Sequence, residues 1–155
     1  MQQKIQAVSS VLDAPTDWSK LIGHGGKLVF HSAGNDYLTN ARSHMRVYDQ
    51  AVKRHGQRVI DRSVRFYVTP NGDHGAGGVS STTGEQTPRF IDLISVLTEW
   101  VEKGTTPPDA VEQKLMDTKP PYAVTSSRPL CRYPRYPHYR GGDSKQLSGY
   151  RCQNP

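Results

Sequence analysis

The sequence has no long apolar run and little cysteine. Hydrophobic residues make up 34% of its 155 positions and the mean hydropathy is −0.69. No stretch approaches the roughly 18 apolar residues that a membrane helix needs, and the opening MQQKIQAVSS lacks the charged-then-apolar order of a secretory signal. Because 14 glycines and 11 prolines are also present, we predict one domain with a moderate core, many loops and no membrane partner.

The two cysteines and most of the histidines give no sign of a metal site. Cys131 and Cys152 lie 21 positions apart, a separation that suits a disulfide in an oxidising compartment and suits two unrelated thiols nearly as well. Five histidines have no metal-ligand spacing among themselves or with the cysteines: His24, His31, His44, His55 and His138. We therefore predict no bound metal and no cofactor.

The net charge of +6 includes a basic tail, with six Lys and Arg against one Asp in residues 126–155. Arg128 to Arg140 read RPLCRYPRYPHYR, in which arginine alternates with tyrosine and proline. Such a segment can stack on bases and pair with phosphates, or it can be an extended surface arm with solvated arginines. Because no nucleic-acid recognition motif accompanies it, we expect no nucleic-acid partner.

The order of predicted elements is clear between residues 27 and 104. Residues 1–26 form an N-terminal lead-in in which Val8, Val11 and Leu12 indicate a short helix, broken at Asp13 and Pro15. The main elements follow in this order: a strand at 27–31 (KLVFH), a helix at 40–55 capped by Thr39 or Asn40 and stopped by Gly56, a strand at 64–68 (VRFYV), and a second helix.

The second helix is predicted to open at Thr87 and Pro88 and to close at Lys103 and Gly104. Its apolar face would contain Phe90, Ile91, Ile94, Leu97, Trp100 and Val101. Residues 105–155 have little periodicity, so we expect a loop-rich tail that packs on the core formed by residues 27–104.

Strand, helix, strand and helix joined by short links are typical of α/β folds with a parallel sheet. Two parallel strands alone make no stable sheet, so we expect the missing neighbours to come from residues outside this chain. An uncovered strand edge would also favour self-association.

Asp36 and His74 each follow one of the predicted strands, in the loops where α/β folds collect their reacting groups. A carboxylate can hold the Nδ1 proton of an imidazole while Nε2 takes a proton from a hydroxyl. The plainer alternatives are a turn residue at Asp36 and a loop histidine at His74. Asp73 is a rival carboxylate, interpreted as a solvated turn residue because adjacent side chains in a turn diverge.

Several strings resemble the tannase and feruloyl esterase family of α/β hydrolases over about residues 20–152. They are Gly25 to Val29, Gly34 to Asp36, Arg65 to His74 with Gly77 and Gly78, Asp92 and Leu93, Trp100 to Gly104 with Pro107 and Pro108, Ser127 to Pro134, Tyr139 to Gly142, and Gly149 to Cys152. The most specific are WVEKG and SRPLCRYP. The chain thus resembles the C-terminal part of such a hydrolase, ending in a disulfide-closed tail.

This resemblance implies a serine-type carboxylic-ester hydrolase that acts on aromatic acid esters such as galloyl or feruloyl esters. Asp36 falls on the family's catalytic acid, His74 on its base, and Cys131 with Cys152 on a disulfide pair. Secretion or a periplasmic location is the family's usual setting.

The chain departs from the family at the nucleophile. Gly-Cys-Ser-x-Gly-Gly is missing, and the strings around Ser80 and Ser144 lack the strand and the second glycine of a nucleophile elbow. In the family, a cysteine at the position of Gly75 forms a disulfide with the cysteine that precedes the nucleophilic serine. The family's substrate-binding lid would precede residue 1. Two hypotheses follow. In the first, the chain is the C-terminal piece of an ester hydrolase and is inactive without its N-terminal hydrolase and lid segment. In the second, it is a non-catalytic remnant or a binding module that uses the Arg/Tyr-rich tail.

Overall fold

A computed structural model describes residues 2–12 and 14–155. At the centre of the fold is a pair of parallel strands. The chain enters through α1 (Gln2–Leu12) and α2 (Ser19–Gly23), and Asp13 of the predicted break lies outside the described residues. The pair consists of β1 (Leu28–Ala33) and β2 (Val64–Thr69), joined by α3 (Ala41–His55) and α4 (Gln57–Ile60). β1 and β2 run in register from Leu28 opposite Val64 to Ala33 opposite Thr69. The predicted order of strand, helix and strand is therefore present.

The capping chemistry of α3 explains where that helix begins and ends. The Asn40 side chain accepts a hydrogen bond from the Arg42 amide, which satisfies one of the free N–H groups of the first turn. Gly56, with φ +84°, ends the helix and donates its amide to Val52 O.

β2 is buried on both faces, which makes it the centre of the core. Toward α3, a first cluster packs around Phe66 and Tyr48, and Phe66 stacks on Phe30 with ring centroids 4.2 Å apart. On the opposite face, Tyr67 packs with Val111 and Leu130 of the tail. The tail therefore covers the face of β2 that α3 leaves open.

The tail differs from the expected loop-rich segment because it contains four strands. After the short strand β3 (Phe90–Ile91), they are β4 (Ala110–Met116), β5 (Val124–Cys131), β6 (Tyr136–Tyr139) and β7 (Tyr150–Gln153), with a 3-10 helix at Leu147–Gly149 between the last two. β4 and β5 pair antiparallel, and β6 and β7 form a second antiparallel pair. One face of β4 is partly solvated and carries polar residues, the exposed Glu112 and the half-buried Lys114, so the sequence lacks the continuous apolar run of a buried strand.

The second predicted helix begins later than its apolar pattern indicated. α5 spans Leu93–Lys103, with Asp92 as its N-cap and Gly104 at φ +70° as its C-cap. Phe90 and Ile91 instead form the short strand β3 (Phe90–Ile91), which pairs with β4. The expected start was wrong because the Asp92 carboxylate, which accepts from the Ser95 amide, is a stronger helix start than Thr87 and Pro88.

In the part of the chain that is described, no helix has the length and apolar character to cross a membrane. Within the same residues, β1 has β2 as its one strand neighbour.

Candidate active site

The loops that follow β1 and β2 are hydrogen-bonded to each other. The Gly34 amide donates to Thr69 O at 2.9 Å, and the Asn35 amide donates to Gly72 O at 2.8 Å. A β-carbon on Gly34 would lie 3.2 Å from Thr69 O, so the close approach favours glycine there. These bonds bring the residues after β1 beside the residues after β2.

Asp36 is held in its loop by three donors from the residues that follow it. Its Oδ1 accepts the amides of Leu38 at 2.8 Å and Thr39 at 3.0 Å, and its Oδ2 accepts the Thr39 hydroxyl. The hydrogen bond from the Thr39 hydroxyl is the main cause that holds the pKa of Asp36 well below its usual range, with smaller contributions from His74 and the two amides. The side chain is 5% exposed and is an ionised acceptor at neutral pH.

His74 lies in a tight turn and faces Asp36. Its Nδ1 is 2.9 Å from Asp36 Oδ2. Because an ionised carboxylate can only accept, Nδ1 carries the proton, and the lone pair of a neutral ring is then on Nε2. The His74 side chain is 58% exposed. The pair can therefore accept a proton at Nε2 while the carboxylate fixes the ring and stabilises the imidazolium.

Asp73, the rival carboxylate, is engaged within its own turn. Its Oδ1 accepts the Gly75 amide at 2.8 Å, and its backbone amide donates to Gly77 O at 2.6 Å. The structure thus brings Asp36, and not Asp73, into hydrogen-bond contact with the His74 ring.

Two of the described serines make hydrogen bonds of their own. Ser32 is buried in β1 and its hydroxyl contacts His44 Nδ1 at 3.0 Å, while Ser80 Oγ accepts the amides of Thr82 and Thr83 in its own turn. Among the described residues, no serine hydroxyl is hydrogen-bonded to His74.

The remaining histidines make separate contacts. His31 Nε2 lies 2.7 Å from Thr69 Oγ1, and burial lowers the pKa of His31 to about 4. His55 Nε2 accepts the Trp18 amide at 3.2 Å. Within the described residues, no group of three or more His, Cys, Asp or Glu is placed to hold a metal ion.

The arginines and cysteines of the tail take part in internal contacts. Arg132 pairs with Asp61 and, at 3.3 Å, with Asp109, and Arg135 pairs with Asp109 at 2.9 Å. Cys131 is bonded to Cys152, as the family resemblance implies. The tail is thus tied to the core rather than extended as a free arm.

Sequence reasoning missed the role of Thr39. It treats Thr39 and Asn40 as alternative helix caps, whereas Asn40 caps α3 and Thr39 binds Asp36. The signal is local: an Asp followed two and three residues later by free amides and a hydroxyl is the pattern of an Asx turn.

The sequence profile described as "Tannase and feruloyl esterase" matches residues 1–153. An uncharacterised esterase of Agrobacterium fabrum is 29% identical over 98% of this chain and 26% of that protein. A protein of Arthroderma benhamiae named "Probable feruloyl esterase" is 31% identical over 88% of this chain and 24% of its own length.

The fold is shared with a solved structure. The crystal structure of an esterase from Aspergillus oryzae aligns with a TM-score of 0.74 at 23% identity, covering 90% of this chain and 29% of that one. The chain therefore spans about a quarter of the length of the relatives it matches. By the match over residues 1–153, the chain belongs to the tannase and feruloyl esterase family.

Proposed function

We propose that this chain is the C-terminal part of a carboxylic-ester hydrolase, with Asp36 and His74 as the acid and the base of a Ser-His-Asp triad. The observation that carries the proposal is the 2.9 Å contact between Asp36 Oδ2 and His74 Nδ1, with the carboxylate 5% and the imidazole 58% exposed. A shielded acid and an accessible base are what a triad requires of these two groups.

The chemistry follows from the atoms. A serine hydroxyl attacks the ester carbonyl while His74 Nε2 takes its proton, and the Asp36 carboxylate stabilises the imidazolium. The imidazolium then returns the proton to the departing alcohol. Water hydrolyses the acyl-enzyme by the same proton transfers, which leaves the free acid and restores the neutral ring.

The proposed nucleophile lies outside these 155 residues. The chain carries no Gly-Cys-Ser-x-Gly-Gly string, and Gly75 replaces the cysteine that ties base to serine in the family pattern. A base without a hydroxyl to activate loses most of the rate enhancement of a triad. The isolated chain accordingly has no turnover of its own, and its working partner is an N-terminal hydrolase and lid segment.

The substrate class is esters of aromatic acids. This assignment rests on the family description and on the Arthroderma benhamiae relative named as a feruloyl esterase. The location we propose is secreted or periplasmic, since the Cys131–Cys152 disulfide suits an oxidising compartment.

The alternative is a remnant or binding module that uses the Arg/Tyr-rich tail, with no catalysis. The internal pairing of Arg132 and Arg135 and the packing of Tyr133 on the first core cluster leave this segment fewer free groups for a partner. We therefore favour the hydrolase, with neither nucleic acid nor membrane as partner.

The proposal is tested by sequencing the genomic DNA upstream of Met1 and by assaying the protein that the extended reading frame encodes. An in-frame Gly-Cys-Ser-x-Gly-Gly segment, with hydrolysis of methyl ferulate or methyl gallate that His74→Ala abolishes, is the expected result. An upstream region without that segment would favour the remnant, and hydrolysis unchanged by His74→Ala would refute the proposed base.

A further inference from the structure

We propose that Gln113, in the tail strand β4, is a positioning residue that holds the His74 turn in place. The inference rests on the proposed function of His74 and deepens it. Gln113 is 1% exposed, and its Nε2 donates to Ala76 O at 3.1 Å. Ala76 is two positions after His74, so the bond fixes the turn that presents the imidazole to Asp36.

The turn has few other attachments. Within residues 73–77, the Asp73 amide donates to Gly77 O, the Ala76 amide to Asp73 O, and the Gly75 amide to the Asp73 side chain. These bonds stay inside the turn. Among the described residues, the hydrogen bonds that leave it are His74 to Asp36 and Gln113 to Ala76. Gln113 is thus the anchor that is independent of the catalytic pair itself.

The backbone of the turn also needs support. Ala76 has φ +61°, in the left-handed region that residues with a β-carbon seldom adopt. A conformation of this kind persists when its surroundings determine it. The amide of Gln113, which captures the carbonyl oxygen of Ala76, supplies that constraint from a rigid strand.

The orientation of the Gln113 amide is fixed by its partners. Nε2 donates its second hydrogen to Thr69 Oγ1 at 3.3 Å, and Oε1 accepts from Arg128 Nε at 3.4 Å. A flipped amide would place Oε1 against Ala76 O and its NH2 group against the guanidinium. Only the orientation that donates to Ala76 satisfies all three neighbours.

The chain of contacts continues to β1. Thr69 Oγ1 accepts from Gln113 Nε2 and lies 2.7 Å from His31 Nε2. Burial lowers the pKa of His31 to about 4, so this ring is neutral at pH 7. The hydrogen bonds from Arg128 through Gln113 and Thr69 to His31 link the tail to both central strands.

The test is Gln113→Met, which keeps the length and packing of the side chain and removes its donors. NMR on the full chain with ¹⁵N-labelled histidine measures the His74 Nδ1 proton, and hydrogen exchange measures the amides of residues 73–77. We expect the Nδ1 proton signal to be lost or broadened and exchange in the turn to be about tenfold faster, as loss of a buried hydrogen bond predicts. Gln113→Glu, which keeps the contact with Arg128 and places acceptors at Ala76 O, should act in the same direction if Gln113→Met fails to fold.

The matched control is Val111→Ala, two positions earlier on the same strand and also buried. It should lower the melting temperature while leaving the His74 signal and the turn exchange unchanged. A folded Gln113→Met or Gln113→Glu protein with the His74 signal and the exchange of the native chain would overturn the inference. Ester hydrolysis tests the proposed function separately. If His74→Ala left the hydrolysis rate of the longer protein unchanged, the proposed function would be wrong, but the effect of Gln113 on the turn would not be affected.

Discussion

His74 Nδ1 and Asp36 Oδ2 lie 2.9 Å apart although 38 positions separate the two residues in sequence. The contact exists because β1 and β2 are parallel neighbours in register, so the loops after them leave the same edge of the sheet. The Asp36 carboxylate is shielded and bound by Thr39, while the His74 imidazole is open to solvent. A hydroxyl could therefore reach His74 without displacing the carboxylate.

Replacing Asp36 by asparagine should change the tautomer of His74. An asparagine amide can donate to Nδ1, which moves the ring proton to Nε2 and removes the lone pair that a base needs. In a protein that carries the nucleophile, a rate loss on the order of 10⁴ is expected for such a change. ¹⁵N chemical shifts of His74 report the tautomer in the chain itself.

Asp73→Asn is the matched control for that substitution, because its carboxylate binds the Gly75 amide and not the ring. It should leave the His74 shifts as they are. A change of tautomer in Asp73→Asn, with none in Asp36→Asn, would identify Asp73 as the partner of His74.

The stability of the chain should fall between about pH 6.5 and pH 4 because of His31. Burial lowers its pKa from 6.5 to about 4, so in this range the unfolded chain binds a proton that the folded chain does not. The contribution is fully present above pH 6.5 and is lost as the pH falls toward 4, up to a total of about 3 kcal/mol. Urea unfolding at several pH values measures it.

His31→Gln should remove this part of the pH dependence, while His138→Gln, at an exposed position, should retain it. If the free energy of unfolding of His31→Gln kept the pH dependence of the native chain, His31 would not be its cause.

Loss of the disulfide should destabilise the tail. Cys131 and Cys152 close a loop with a separation of 21 residues, for which chain entropy predicts about 3 kcal/mol of stabilisation. Cys131→Ser, or reduction of the native chain, should lower the melting temperature accordingly. Alkylation followed by mass measurement on protein prepared under oxidising conditions checks the pairing, and two free thiols there would contradict it.

The isolated chain should self-associate through apolar surface that it leaves uncovered. Ile94 and Val101, both on α5, are 82% and 61% exposed. Sedimentation should therefore detect oligomers at micromolar concentration, and Ile94→Lys with Val101→Lys should reduce them without lowering the melting temperature. A native chain that is monomeric and unfolds cooperatively at high temperature would argue against this expectation.

Much of the central fold could be predicted because its signals are local. The strand KLVFH, the cap at Asn40 and the stop at Gly56 specify elements without reference to the rest of the chain. The hypothesis that Asp36 and His74 act together came from signals of the same kind, because each lies in the loop after an apolar strand and the family strings include both.

The tail and the support of the site were not predictable in this way. β4 pairs with β5 and covers β2 through alternate residues only. Because its outer face is polar, the sequence pattern did not indicate a strand there. Gln113 contacts Ala76 across 37 positions, and its role depends on which way β4 faces. Long-range packing of this kind leaves no mark in a local pattern.

The most direct test joins this chain to a nucleophile. In the Arthroderma benhamiae relative, the matched segment is replaced by this chain, and hydrolysis of methyl ferulate is compared with that of the 155-residue chain alone. We expect no turnover by the chain alone, and turnover by the chimera that His74→Ala and Asp36→Asn remove and Asp73→Asn preserves. Hydrolysis by the isolated chain that depends on His74, or an active chimera indifferent to His74→Ala, would contradict the proposed roles of these residues.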